Sequence, residues 1–193
     1  MSTLQFQGKN LTSLKMKIPV DGNFGKVLKT FNELGYPAAP VDAERINFAV
    51  LELVSNSLRA HREKNIADPV LVELNCTPDS LHITIRDSGR GFDPSVLPYN
   101  IDEDVNNIDL MSSRFAAYRE QYQNSRFGMG FIATRRIFPH FKLYFIDTGL
   151  QPCEWPDQNL HGTVVELALP FNPGLAEEPD AMEELTGQEA EAS

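Results

Sequence analysis

No apolar run in the 193 residues approaches the roughly 18 residues that a membrane span needs. The opening MSTLQFQGKN also lacks the apolar core of a signal peptide. A cytoplasmic protein with no membrane partner is therefore expected. Cysteine is scarce: Cys76 and Cys153 stand far apart, with neither a CxxC pair nor a histidine at ligand spacing. That argues against a structural zinc site and a disulfide framework, and both read as ordinary thiols. A basic patch interleaved with aromatics is missing too, so nucleic acid is not an expected partner. Bases are outnumbered, 17 Lys and Arg against 27 Asp and Glu. The net charge of −10 is uneven, because seven acids and no Lys or Arg fall in residues 172–193, leaving −3 on the rest. That end holds too few apolar residues to fold alone and is expected to be an acidic, disordered tail.

What is present suits one domain over residues 1–171, since 41% hydrophobic and 23% charged residues are ordinary for a globular chain. SLKMKIPV sets Leu14, Met16, Ile18 and Val20 against Lys15 and Lys17, which predicts a half-buried strand. NFGKVLKTFNELG repeats apolar residues at helical spacing and stops at Gly35, predicting a capped helix. A second helix follows YPAAP, with Asp42 as its N-cap. VLVEL and LHITIRD flank NCTPDS, whose Pro78 and Asp79 mark a turn, so an antiparallel hairpin is expected. FIATRRIFPHF reads as a helix ending near Pro139, followed by the strands KLYFID and TVVELAL. This order predicts an α+β fold, a two-layer sandwich whose mixed, largely antiparallel sheet carries helices on one face.

Within the second helix, FAVLELVSNSLRAH (48–61) is apolar in nearly every direction apart from one stripe. Glu52 and Asn56, four apart, point the same way, and Arg59 and Glu63 continue roughly along that line. The stripe is either a narrow solvent face or, because an unpartnered buried carboxylate is costly, a lining for a polar cavity or an ion.

Two glycine clusters follow. In LHITIRD the residues Leu81, Ile83 and Ile85 oppose His82, Thr84 and Arg86, so Asp87 continues the inward series. DSGRGFD then supplies Gly89 and Gly91, which permit a sharp turn and close approach to a ligand, although alone the segment reads as a turn. RFGMGF (126–131) places Gly128 and Gly130 just before a helix, where free amides and the helix dipole attract phosphate; alone it reads as a loop end. Between them, residues 95–126 form a long polar stretch with Asp102, Glu103, Asp104 and Asp109, then a helical pattern through Leu110, Phe115, Tyr118 and Tyr122. A connection that long is a lid or disordered. Its first half has too few apolar residues to pack unaided, so it is expected to be mobile until a ligand orders it.

Taken in order, these pieces resemble the GHKL ATPase superfamily, which includes DNA gyrase B subunits, heat-shock chaperone ATPases and histidine kinases. ELVSNS matches its N box, DSGRGFD the first glycine box, RFGMGF the second, and Gly162 with Thr163, opening a strand, the last. The resemblance covers about residues 40–168. LELVSNS and GMGF look most like the bacterial anti-sigma-factor serine/threonine kinases. The resemblance implies an ATP and Mg²⁺ site in which Asn56 gives its side-chain oxygen to the metal and Glu52 accepts the proton of an attacking hydroxyl or water. It assigns Asp87 to the exocyclic amine of adenine, with Thr163 close by, and lets Gly89 and Gly91 pass the base. Gly128, Met129 and Gly130 would hold the triphosphate through backbone amides. Arg59 or His61 reaches a phosphate, Arg59 being equally placed to pair with Glu63. Arg126 stands where many relatives have glycine. Histidine kinases usually carry Asn where Glu52 stands, which disfavours a sensor kinase. The implied function is an ATP-Mg-binding regulatory protein that phosphorylates Ser or Thr on a protein partner, an anti-sigma antagonist or a sigma factor, with a homodimer left open. The alternative is a catalytically weak, ATP-gated interaction switch.

Overall fold

The computed structural model describes residues 2–123 and 128–172. Arg126 and Phe127 of the second glycine box, and the tail beyond residue 172, lie outside the described residues.

The chain opens on a hairpin that the apolar patterning did not predict. β1 (Leu4–Phe6) and β2 (Lys9–Leu11) pair across Gln7 and Gly8, which sit at φ 49° and 74°. Two such left-handed residues make the tight turn whose twist suits a hairpin. β3 (Ser13–Ile18) is the predicted alternating strand. α1 (Phe24–Asn32) starts at Asn23, whose side chain accepts the Gly25 amide at 2.8 Å. It ends before Gly35 because Leu34–Gly35 form β4, which pairs with β1 and completes a small sheet ordered β2-β1-β4. α2 (Ala43–Glu63) begins after Asp42, which holds the N-cap position without a side-chain hydrogen bond. Its charge still suits the positive end of the helix.

β5 (Val70–Cys76) and β6 (Ser80–Arg86) form the expected antiparallel hairpin. A 3₁₀ turn at Pro94–Val96 and α3 (Ser113–Gln121) lie in the long connection. α4 (Gly130–Ile137), β7 (His140–Asp147), the short β8 (Pro152–Cys153) and β9 (Leu160–Pro170) follow. The main sheet has the order β3-β5-β6-β9-β7-β8. Each of its pairs is antiparallel, so the α+β class is as expected while the sheet is antiparallel throughout and not mixed.

Alternation along the strands sends Val72, Leu74, Ile83, Ile85, Val165 and Leu167 into one core with Ile46, Val50, Leu53 and Val54 of α2. Buried Asn47 ties the small sheet to this core. Its Oδ1 accepts Tyr36 Oη at 2.9 Å and its Nδ2 donates to the Leu34 carbonyl at 3.2 Å. Both cysteines are free, and burial pushes the Cys76 thiol up. Among the described residues no helix is long and apolar enough to cross a membrane.

The connection between the glycine clusters corrects an expectation. Its first half packs: Leu97, Tyr99 and Ile108 are buried with Phe115 of α3 and Ile132 of α4 in a second apolar cluster, flanked by Ile101, Val105 and Leu110. Its polar residues serve the turns between these anchors. Asn100, Asp104 and Asp109 each accept, through Oδ1, the amide two residues on, at 2.8–3.0 Å. Arg135 of α4 fastens the segment by donating to the carbonyls of Ile101 and Glu103 at 2.8 and 2.7 Å.

Candidate functional site

The polar stripe of α2 opens onto a cavity of about 700 Å³. Glu52, Asn56, Arg59, Glu63 and Lys64 line it from α2, facing the first glycine loop, the start of α4 and the inner side of the second cluster. The stripe is therefore neither buried in the core nor a plain solvent face. It is the wall of a concave site on a helix whose other sides are packed.

One end of the cavity is built by strand register. The inward series of β6 runs through Ile83 and Ile85 to Asp87, and that of β9 through Leu167 and Val165 to Thr163. Asp87 and Thr163 thus meet beyond the last paired residues, with the Asp87 amide donating to the Thr163 carbonyl at 3.0 Å. The Asp87 carboxylate is buried and held by three donors. Oδ1 accepts the amides of Gly89 at 2.8 Å and Thr163 at 3.2 Å, while Oδ2 accepts Ser57 Oγ at 2.7 Å. Such bonds satisfy a buried acid that would otherwise be expensive and fix the direction of its remaining lone pair. Gly162 is required here by contact: a Cβ on it would lie 1.8 Å from the Asp87 carbonyl oxygen.

The loop after Asp87 is fastened at nearly every group. Ser88 donates its amide to His61 Nε2 at 2.9 Å, which places the histidine proton on Nδ1, donated to the Asp68 carbonyl at 2.8 Å. The Arg90 amide donates to the His161 carbonyl at 2.9 Å. Lys64 Nζ donates to the carbonyls of Gly89, Gly91 and Arg90 at 2.5, 2.8 and 3.3 Å. Burial lowers the pKa of Lys64; Asp87 and Glu63 oppose the shift and Arg90 adds to it. Arg90 and Gly91 both sit at positive φ, 53° and 55°, a turn that this clamp and the flanking bonds hold in place.

The other end of the cavity is open in its bonding. Glu52 is half-buried, and among the described residues nothing hydrogen-bonds to its carboxylate. Asn56 Oδ1 accepts Arg59 at 2.5 Å. Gly130 lies against both: a Cβ there would come within 3.2 Å of Asn56 Nδ2 and 3.4 Å of Glu52 Oε2. Gly128, Met129 and Gly130 line the cavity, and α4 starts at Gly130 without a side-chain cap, leaving its first-turn amides available.

Of the residues singled out in the sequence, Glu52, Asn56, Arg59, Asp87, Gly89, Gly91, Gly128, Met129, Gly130 and Thr163 all line this one cavity. His61 does not. It is fully buried with both ring nitrogens engaged, so its place is structural, bracing the glycine loop, and a phosphate contact is ruled out by packing. Three contributors escaped the sequence. Ser57 is read as one more helix residue, although it is the neighbour of Asn56. Lys64 and Trp155 join the site through contacts distant in the chain that no local pattern signals.

A family model for the histidine kinase-like ATPase domain matches residues 23–140, more than half of the chain, and the chain belongs to that family. No curated protein matches it. The domain implies nucleotide binding, generally with Mg²⁺. The residues present fit such a ligand: Asp87 offers a fixed acceptor, α4 offers free amides, and Asn56 offers a hard oxygen. Among the described residues no group of three or more His, Cys, Asp or Glu gathers to hold an ion. A magnesium ion would therefore depend on Asn56, phosphate oxygens and water.

Proposed function

We propose that the protein is an ATP-dependent serine/threonine protein kinase of the anti-sigma-factor type, acting on a regulatory protein partner in the cytoplasm. The observation that carries this reading is Glu52, a carboxylate without a partner among the described residues, set beside Asn56 and Gly130 at the end of the cavity opposite Asp87. A protein that only binds nucleotide has no use for a free base there. Asp87 takes the exocyclic amine of adenine, and the amides of Gly128 to Gly130 lie along the phosphates. Asn56 would hold Mg²⁺, which when bound offsets phosphate charge. Glu52 accepts the proton of a partner's Ser or Thr hydroxyl as that oxygen bonds to the γ-phosphorus. The bond from the γ-phosphorus to the bridging oxygen breaks, and ADP departs.

The partner class follows from the likeness of LELVSNS and GMGF to those kinases: an anti-sigma antagonist or a sigma factor. One observation favours the second reading, an ATP-gated switch. Arg59 occupies Asn56 Oδ1, so metal binding must first displace or share that guanidinium. The test is to expose native cytoplasmic extract to the wild type and to Glu52→Ala with γ-labelled ATP and Mg²⁺. A retained protein that gains label on Ser or Thr only with the wild type supports the kinase. A partner retained in an ATP-dependent way and never labelled selects the switch.

A further inference from the structure

We infer that Trp155 is the stacking surface for the nucleotide base, so that the site reads adenine by its face as well as by its edge. This rests on the nucleotide reading above and deepens it. Trp155 lies between β8 and β9 and forms part of the cavity wall. It is the only tryptophan in the chain, and 36% of its surface is exposed. Phe145 fixes one side of it, with ring centroids 5.9 Å apart at 52°. Phe145 also places Trp155 at the correct end of the cavity. It is the cross-strand partner of Thr163, whose amide holds Asp87, and it packs under Gly91, where a Cβ would lie 2.9 Å from Phe145 Cδ1. A large indole exposed on a concave wall beside a fixed acceptor is apolar area that a flat aromatic ligand can cover.

The two elements recognise different properties of one ligand. Asp87 accepts from an amine on the base edge, which adenine has and which guanine replaces with a carbonyl at the corresponding position. The indole accepts any base face, and the larger purine ring covers more of it. Trp155 therefore adds affinity for the adenosine part and none for the phosphates.

Because all tryptophan emission comes from this residue, the site carries its own reporter. The test titrates wild type, Trp155→Phe and Trp155→Ala with ATP, ADP, adenosine and inorganic tripolyphosphate, each with Mg²⁺, following heat and tryptophan emission. The expected result is an emission change with the three adenine ligands and none with tripolyphosphate. Trp155→Ala should weaken ATP, ADP and adenosine by the same factor, about tenfold. Trp155→Phe, which keeps an aromatic face, should recover most of that. If calorimetry shows wild-type ATP binding but Trp155→Ala binds ATP as tightly, the stacking role is wrong and the nucleotide reading stands. If the wild type binds no adenine ligand, both fall together.

Discussion

The two ends of the cavity are built to different rules. At the Asp87 end nearly every polar group is already satisfied: three donors hold the carboxylate, Lys64 gathers three carbonyls, and His61 braces Ser88. At the Glu52 end the carboxylate has no partner among the described residues and the first amides of α4 are uncapped. Recognition of a fixed chemical edge gains from groups that need not reorganise. A proton acceptor needs a free lone pair, and phosphate needs free amides. Hydrogen bonding is concentrated at the end where we propose that the base docks, and it is sparse at the end proposed for the chemistry.

Substitutions can break this contrast, and the largest effect is expected at the open end. Glu52→Ala should lower phosphotransfer or ATP hydrolysis by about 10² to 10⁴-fold, as loss of a general base does, with ATP affinity changed less than about threefold. Turnover equal to wild type in a single-turnover assay would remove the catalytic assignment. Next is the built end. Gly162→Ala forces β9 away from Asp87 and should cost about 3 kcal/mol, through overpacking and the strained bonds between Asp87 and Thr163, measured by chemical denaturation. Lys64→Met should leave folding nearly intact but loosen the glycine loop, weakening ATP by about fivefold, roughly 1 kcal/mol, with Lys64→Arg partly restoring it.

The smallest effect belongs to the wall between the ends. Among the described residues Tyr99 Oη is the one buried side-chain polar atom without a partner, and burial raises its pKa. Tyr99→Phe removes that orphan while keeping the ring stacked on Phe115, so it should raise stability by about 1 kcal/mol, or about 2–4 °C in Tm. A destabilised Tyr99→Phe would show that the hydroxyl has a partner in solution.

How much of this was legible in the sequence follows the same division. Strict alternation in LHITIRD carries Asp87 to the inner face, and a spacing of four on α2 aligns Glu52 with Asn56, so local periodicity reaches these residues, whereas Thr163 is reached only through the Gly-Thr motif of the family resemblance. Gly162 is legible as a motif, while its reason, contact with a backbone 75 residues earlier, is a tertiary fact. Lys64, Ser57 and Trp155 join through such contacts and leave no periodic trace. β1, β2 and β4 have two or three residues each, too short for alternation to register. The segment after Asp93 misled because turn-capping Asn and Asp dilute its apolar residues in sequence, whereas in space Leu97, Tyr99, Ile108 and Phe115 converge.

In the proposed function the Asp87 end is prebuilt to take adenine. Calorimetric titration of ATP and GTP with Mg²⁺ into wild type and Asp87→Asn tests it most directly. In the variant the amide oxygen can still face Gly89 and Thr163, but the amide NH2 then faces Ser57, whose hydroxyl can turn to accept, and the exocyclic amine of the base, donor against donor. Wild type is expected to bind ATP and to discriminate against GTP. Asp87→Asn should lose at least about a hundredfold in ATP affinity, roughly 2.7 kcal/mol, while remaining folded. Wild type that ignores ATP, or a folded Asp87→Asn that binds it as tightly as wild type, would overturn the assignment of Asp87 to adenine.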